Sequence, residues 1–171
     1  KRALPPGFMI HRNTMIATDD ALYTGDHQSC KILDARTGKI RGQITGPPDI
    51  TDGPVWKWMA MQDGVLYALV GNPEIQVDVQ KSKRRGLGHW RWAMWKGHDY
   101  KNPHLSFGFG RTLVAIDLKT KKLLWNYRDE DFLDARALCM NSNHIFCYSP
   151  EKFLACIDSE SGKLLWKNSE N

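Results

Sequence analysis

The chain has 171 residues, one domain's worth of sequence and enough for a sizeable core. Hydrophobic residues make up 42% and charged residues 25%, which excludes a disordered chain, and no apolar run approaches the roughly 20 residues of a membrane-spanning helix. The formal net charge is +5, and the four cysteines (Cys30, Cys139, Cys147 and Cys156) form no Cys-x-x-Cys, so neither a structural zinc nor an attached c-type haem is supported.

The first seven residues are rich in proline and lack the apolar core of a signal peptide, which leaves the compartment open. Residues 14–18 are β-prone, Asp19-Asp20 turns, and 21–25 returns. A second turn at 26–29 leads into an apolar stretch ending at Asp34, and 39–44 closes a first unit. Residues 45–54 are dense in turn formers and read as a linker. A second unit opens with 56–62, turns at Asp63-Gly64 and returns through 65–70. Asp-Gly between apolar runs is a strong hairpin signal, because both central residues of a type I′ turn need positive φ.

Unit two then departs from the pattern. From the first turn to the Asp that ends the third strand, unit one takes 15 residues and unit three 16, but unit two takes 54. An insert therefore lies at about 72–110, between the second and third strands. After a short acidic linker, Asp129-Glu130-Asp131, unit three repeats the scheme with strands at 137–140, 145–148, 153–157 and 163–166.

The units are copies of one another. Residues 154–166 nearly reproduce 113–125, and 31–40 is a worn third copy. Asp117 and Asp158 are 41 residues apart, within the ~40–45 residues of a propeller blade. Runs of Val, Ile, Tyr and Phe separated by turns exclude a helical solenoid. The expected fold is all-β, a partial β-propeller of about three four-stranded antiparallel blades at 14–44, 57–127 and 137–167, with one long insert. Closed propellers need at least four blades, so the chain is expected to be part of a longer propeller or to be completed by another chain. Open blade edges make self-association a further option.

The pattern apolar-apolar-Asp-x-x-x-Gly-Lys-x-x-Trp resembles the repeat of PQQ-like β-propellers, the superfamily of quinoprotein alcohol dehydrogenases and of an outer-membrane assembly lipoprotein. The match holds at Asp158, Gly162, Lys163 and Trp166. Asp117 and Trp125 also match, but Lys121 replaces the Gly; Asp34, Gly38 and Lys39 match, but Gly42 stands where the Trp should be. The resemblance implies that the Trp stacks on the neighbouring blade near the turn, while Asp bonds its own backbone and holds that turn. It also favours a periplasmic or otherwise extracytoplasmic setting.

Two function classes follow from the resemblance. One is a non-catalytic scaffold that presents loops and strand edges to a protein partner or to the remaining blades. The other is part of a PQQ-dependent dehydrogenase. Family enzymes grip the quinone with a vicinal disulfide, a Trp floor, a Ca²⁺ and a catalytic Asp. No Cys-Cys pair occurs here, and no stretch reproduces the calcium-ligand or catalytic-Asp motifs. Neither Gly-x-Ser-x-Gly nor His-Glu-x-x-His is present. The scaffold is preferred, with no catalytic residue, cofactor or metal expected of this polypeptide alone.

The insert is the candidate binding surface. Residues 72–111 carry eight basic and three acidic side chains, whereas the other residues carry sixteen of each, so the whole net charge resides there. The candidate residues are Arg84, Arg85, His89, Trp90, Trp92, Trp95, His98 and His104. Basic residues among aromatics can track phosphates and stack bases, but a run such as 81–85 reads more simply as a solvated charge cluster, so nucleic acid is disfavoured. His89, His98, His104 and Asp99 match no zinc-ligand spacing. An amphipathic surface helix at 89–97 is opposed by Trp90 and Trp92, which fall on different helical faces. The reading preferred is a loop that folds over one propeller face, with at least two of Trp90, Trp92 and Trp95 buried beneath the basic residues. Cys139 and Cys147 are expected on opposite faces of a hairpin, and Cys147 and Cys156 on a shared one, as small buried apolar side chains.

Overall fold

The computed structural model describes residues 14–26, 28–50, 52–71, 108–149 and 152–169. Among these, twelve strands form three four-stranded antiparallel sheets, each a meander of consecutive strands. Unit one holds β1 (Met15–Ala17), β2 (Ala21–Gly25), β3 (Cys30–Asp34) and β4 (Ile40–Ile44). Unit two holds β5 (Val55–Gln62), β6 (Val65–Gly71), β7 (Phe109–Asp117) and β8 (Leu123–Asp134). Unit three holds β9 (Cys139–Met140), β10 (His144–Ser149), β11 (Phe153–Asp158) and β12 (Leu164–Ser169). The sheets pack face to face in chain order as an open, partial β-propeller.

Turn chemistry sets the strand limits. Asp63 and Gly64 stand at φ 49° and 76°, the positive pair that a type I′ hairpin needs. In unit three the Asn141 side chain accepts from the backbone N–H of Asn143 at 3.0 Å and of His144 at 2.9 Å, an Asx turn that starts β10.

Unit two is covered on both faces, and its two central strands, β6 and β7, are largely apolar and buried. Leu66, Ala68 and Val70 of β6 face unit one, with Val114 and Ile116 of β7, against Cys30 and Ile44. Tyr67 and Leu69 point the other way, with Leu113 and Ala115, against Ile145, Cys147, Ala155 and Ile157 of unit three. Successive strand residues alternate faces, so one sheet serves two cores. Fully burying each of the Leu, Ile and Val side chains among these contributes about 1.5–3 kcal/mol.

Two local expectations are corrected. Residues 129–131 are not a linker but part of β8, where the register with β7 shifts between Gly110 and Thr112. Asp129 is buried there because it accepts from Tyr127 Oη at 2.6 Å and from Lys167 Nζ at 3.0 Å across the two–three junction. Burial raises its carboxyl, but the hydrogen bonds from Tyr127, Asp131 and Lys167 outweigh that and hold it below the usual value. Cys147 and Cys156 do not share a face either. The register pairs Cys147 with Ala155 and Cys156 with Phe146, so the two thiols point oppositely. Cys139 pairs with Phe146 and lies opposite to Cys147, as expected. Cys30, Cys147 and Cys156 are buried, but Cys139 is exposed. Burial pushes the Cys30 and Cys147 thiols up to about 12.

Candidate functional site

The repeat residues build the same turn three times. The Asp34 carboxylate accepts from the Thr37 N–H at 2.7 Å and the Thr37 hydroxyl at 2.8 Å. Asp117 does the same with Thr120 at 2.5 and 2.6 Å, and Asp158 with Ser161 at 2.7 and 2.5 Å. A hydroxyl three residues after the Asp is thus part of the motif in every unit, although the sequence pattern above leaves that position unspecified. Side-chain and backbone bonds from Thr37, then Arg41, hold the Asp34 carboxyl down at about 2. Asp117 and Asp158 are lowered by the equivalent bonds from Thr120 and Ser161.

The next residue carries the backbone through the left-handed region: Gly38 at φ 67°, Lys121 at 58° and Gly162 at 70°. Trp125 lies flat on Gly162. A Cβ there would stand 2.6 Å from indole atoms, so only Gly fits beneath the ring. The indole N–H donates to the Ser159 carbonyl at 3.0 Å, and Tyr67 flanks the ring at 5.9 Å between centroids. The junction between units one and two inverts this arrangement. There Gly42 leaves room in the strand, and the Lys121 side chain reaches over from the turn to within 3.1 Å of where a Gly42 Cβ would be.

Beside Trp125 an open groove of ≈ 640 Å³ runs between units two and three. Gln62, Asp63, Tyr67, His144, Asp158 and Glu160 line it. Gln62 Nε2 donates across it to the Ser142 carbonyl at 2.8 Å, and the Ser159 hydroxyl donates to the same carbonyl at 3.3 Å. The groove therefore offers carboxylate and amide acceptors with one imidazole, a lining suited to polar or cationic groups. Among the described residues no three His, Cys, Asp or Glu side chains come together as a metal cluster.

The sequence-predicted surface Arg84, Arg85, His89, Trp90, Trp92, Trp95, His98 and His104 lies outside the described residues. So does the expected burial of the insert's tryptophans. Its root is described: Gly71 and Gly110 approach so closely that a Cβ on Gly71 would stand 2.9 Å from Gly110 Cα. Lys57, 1% exposed, lies against the same spot, its Cε 3.2 Å from that position. Sequence reading assigned Lys57 no role; a lone Lys among apolar residues of β5 was the available signal.

No protein-family model matches the chain. The chain is similar to the quinoprotein alcohol dehydrogenase PedE of Pseudomonas putida, 26% identical over 144 residues that cover 76% of this chain and 20% of that protein. It thus spans one fifth of that relative's length. Among solved structures it is similar to the computationally designed Ika4 protein, with a TM-score of 0.56 and 11% identity over 100% of this chain and 81% of that one. That likeness shows the fold alone. BamB from Moraxella catarrhalis aligns with 92% of this chain and 36% of its own at a TM-score of 0.48 and 14% identity. The resemblance to PQQ-like propellers drawn from Asp158, Gly162, Lys163 and Trp166 is in line with the sequence similarity to a quinoprotein.

Proposed function

We propose that this chain is a non-catalytic β-propeller module, a scaffold whose blade faces and insert engage protein partners in an extracytoplasmic setting. One observation carries the reading: the residues that the repeat holds constant are spent on structure. Asp34, Asp117 and Asp158 each close their own turn, and Trp125 fills a blade junction. In each turn the bonded oxygen is the Asp Oδ1, held by the hydroxyl three residues on.

The similarity to a quinoprotein alcohol dehydrogenase favours a second reading, a portion of such an enzyme. The described residues do not fit its cofactor set. A divalent cation would need converging carboxylates, but the three turn carboxylates sit on different blades and are already hydrogen-bonded. Calorimetric titration with PQQ and Ca²⁺, followed by a dye-reduction assay with ethanol, separates the two. The scaffold predicts no heat of binding and no dye reduction, and micromolar binding or turnover overturns it. For the insert, Arg84→Glu with Arg85→Glu should abolish capture of a partner that the wild type retains. Unchanged capture would move the binding surface to the blades.

A further inference from the structure

The groove beside Trp125 has both of its walls inside the chain, one from unit two and one from unit three. Three carboxylates border it: Asp63 from the β5–β6 turn, and Asp158 and Glu160 from the β11–β12 turn. Neither Lys nor Arg stands among its described lining residues, and among the described residues neither Asp63 nor Glu160 has an ion-pair partner. The Ser161 bonds occupy Oδ1 of Asp158 alone. They also hold that carboxyl below its usual value, which keeps it an anion at neutral pH. Leu124, 54% exposed, gives the groove an apolar side.

The one–two junction shows what such a gap takes up. There the chain closes the corresponding space with its own cation, Lys121, whose Nζ stands 3.1 Å from where a Gly42 Cβ would be. Unit one also carries Arg41 at the bulge of its outer strand, where it pairs with Asp20 and Asp34. Unit two has Leu124 at that bulge, and unit three has Gly162 in the turn position of Lys121. The two–three groove thus keeps carboxylates while both built-in cations are replaced by uncharged residues.

We propose, resting on the scaffold reading, that this groove binds a basic linear segment of a partner protein. One Lys or Arg side chain of that segment lies along Leu124, with its cationic head among Asp63, Asp158 and Glu160. The stem of such a residue covers apolar surface while its head meets carboxylate and water. The Asn143 amide on the rim offers a peptide backbone both a donor and an acceptor. Nucleic acid and other phosphate-bearing ligands are repelled by this lining. A metal ion is not the occupant, because among the described residues no three His, Cys, Asp or Glu side chains converge. The volume of ≈ 640 Å³ falls within the range of about 300–1,000 Å³ usual for organic ligands.

Heteronuclear NMR titration of the intact chain tests this, with an acetylated and amidated glycine peptide carrying one Arg and one Lys as the probe. The Leu124 methyl groups and the Trp125 indole N–H should shift and saturate, and the same peptide with Gln at both places should leave them still. Asp63→Asn suits the left-handed φ of 49° and should raise the peptide dissociation constant about tenfold, the effect of losing a charged hydrogen-bond acceptor. Leu124→Arg supplies the cation from the strand, as Arg41 does in unit one, and should weaken binding at least as much. Both variants should keep the wild-type urea midpoint, since both residues are exposed. Glu130→Gln removes an exposed charge of β8 outside the groove and should change nothing. Still resonances at about 1 mM peptide would overturn the proposal. Equal weakening by Glu130→Gln would overturn it in favour of diffuse charge attraction, and spermidine shifting the same resonances at lower concentration would do so in favour of a polyamine site. A silent groove leaves the scaffold reading standing, because PQQ titration and capture through Arg84 and Arg85 test that reading elsewhere.

Discussion

The two blade junctions solve one packing problem in opposite ways. Between units two and three the strand supplies the bulk, Trp125, and the turn supplies the vacancy, Gly162. Between units one and two the turn supplies the bulk, Lys121, and the strand supplies the vacancy, Gly42. The Trp125 gap is an interior one, where a void forfeits contacts, whereas the exposed Lys121 closes its gap at the surface with the end of its side chain. Which side provides the closing side chain is free. The aromatic solution buries more apolar area and gains an indole hydrogen bond. The lysine solution keeps its charge near water and places a non-glycine residue in the left-handed region.

This difference can be broken at its strong side first. Trp125→Ala should destabilise by about 3–5 kcal/mol, the usual effect of emptying a large aromatic site. Urea unfolding monitored by far-UV circular dichroism measures it, and a loss under about 1 kcal/mol would remove the junction from the core. The weak side can then be converted. Gly42→Trp alone should destabilise by about 1–3 kcal/mol, because the indole meets the Lys121 side chain. Adding Lys121→Gly should restore stability, with a coupling of about 0.5–3 kcal/mol in the double-mutant cycle. Strict additivity would show that the residues do not share a slot. Lys121→Gly by itself should gain no more than about 1 kcal/mol from relief of the left-handed conformation.

The smallest effect separates turns from junctions by pH. Asp34, held at about 2, together with the lowered Asp117 and Asp158, binds protons less readily folded than unfolded. Their contribution is therefore present above the unfolded carboxylate value of about 4 and is lost as pH falls toward the folded value. Urea midpoints should decline through that window, and Asp34→Asn should flatten part of the decline. Trp125 and Gly162 carry no titratable group, so Trp125→Ala should lower the curve without reshaping it.

Most of the architecture was legible in the chain. The 41-residue spacing, the Asp63-Gly64 turn and the apolar runs of unit two follow from local rules that need no third dimension. The junction chemistry was half legible. Gly42 in place of Trp and Lys121 in place of Gly read as two separate departures from the repeat. They are one compensated exchange, visible only when residues 79 apart in the chain face each other across two blades. The shared face expected of Cys147 and Cys156 failed for a smaller reason. Face assignment rests on parity, and parity depends on the register set by the turn between β10 and β11, which one residue more or less reverses. Asp129 misread as a linker because its partner, Lys167, lies 38 positions away. The candidate surface in the insert was drawn from charge and aromatic content alone, which say nothing of position.

The close approach of Gly71 and Gly110 has a consequence for how such a chain can change over time. Strands β6 and β7 are hydrogen-bonded neighbours up to the pair Val70 and Thr112, so whatever joins them leaves and re-enters at practically one point. Widening a loop anchored like this adds only loop-closure entropy, about 0.6 kcal/mol for each doubling of length. The pairing of β6 with β7 fixes the register on its own. Segments of quite different length and chemistry can therefore be exchanged there while the flanking strands stay in place. Unit two works as a socket, and new specificity can arise at it without the fold being reinvented.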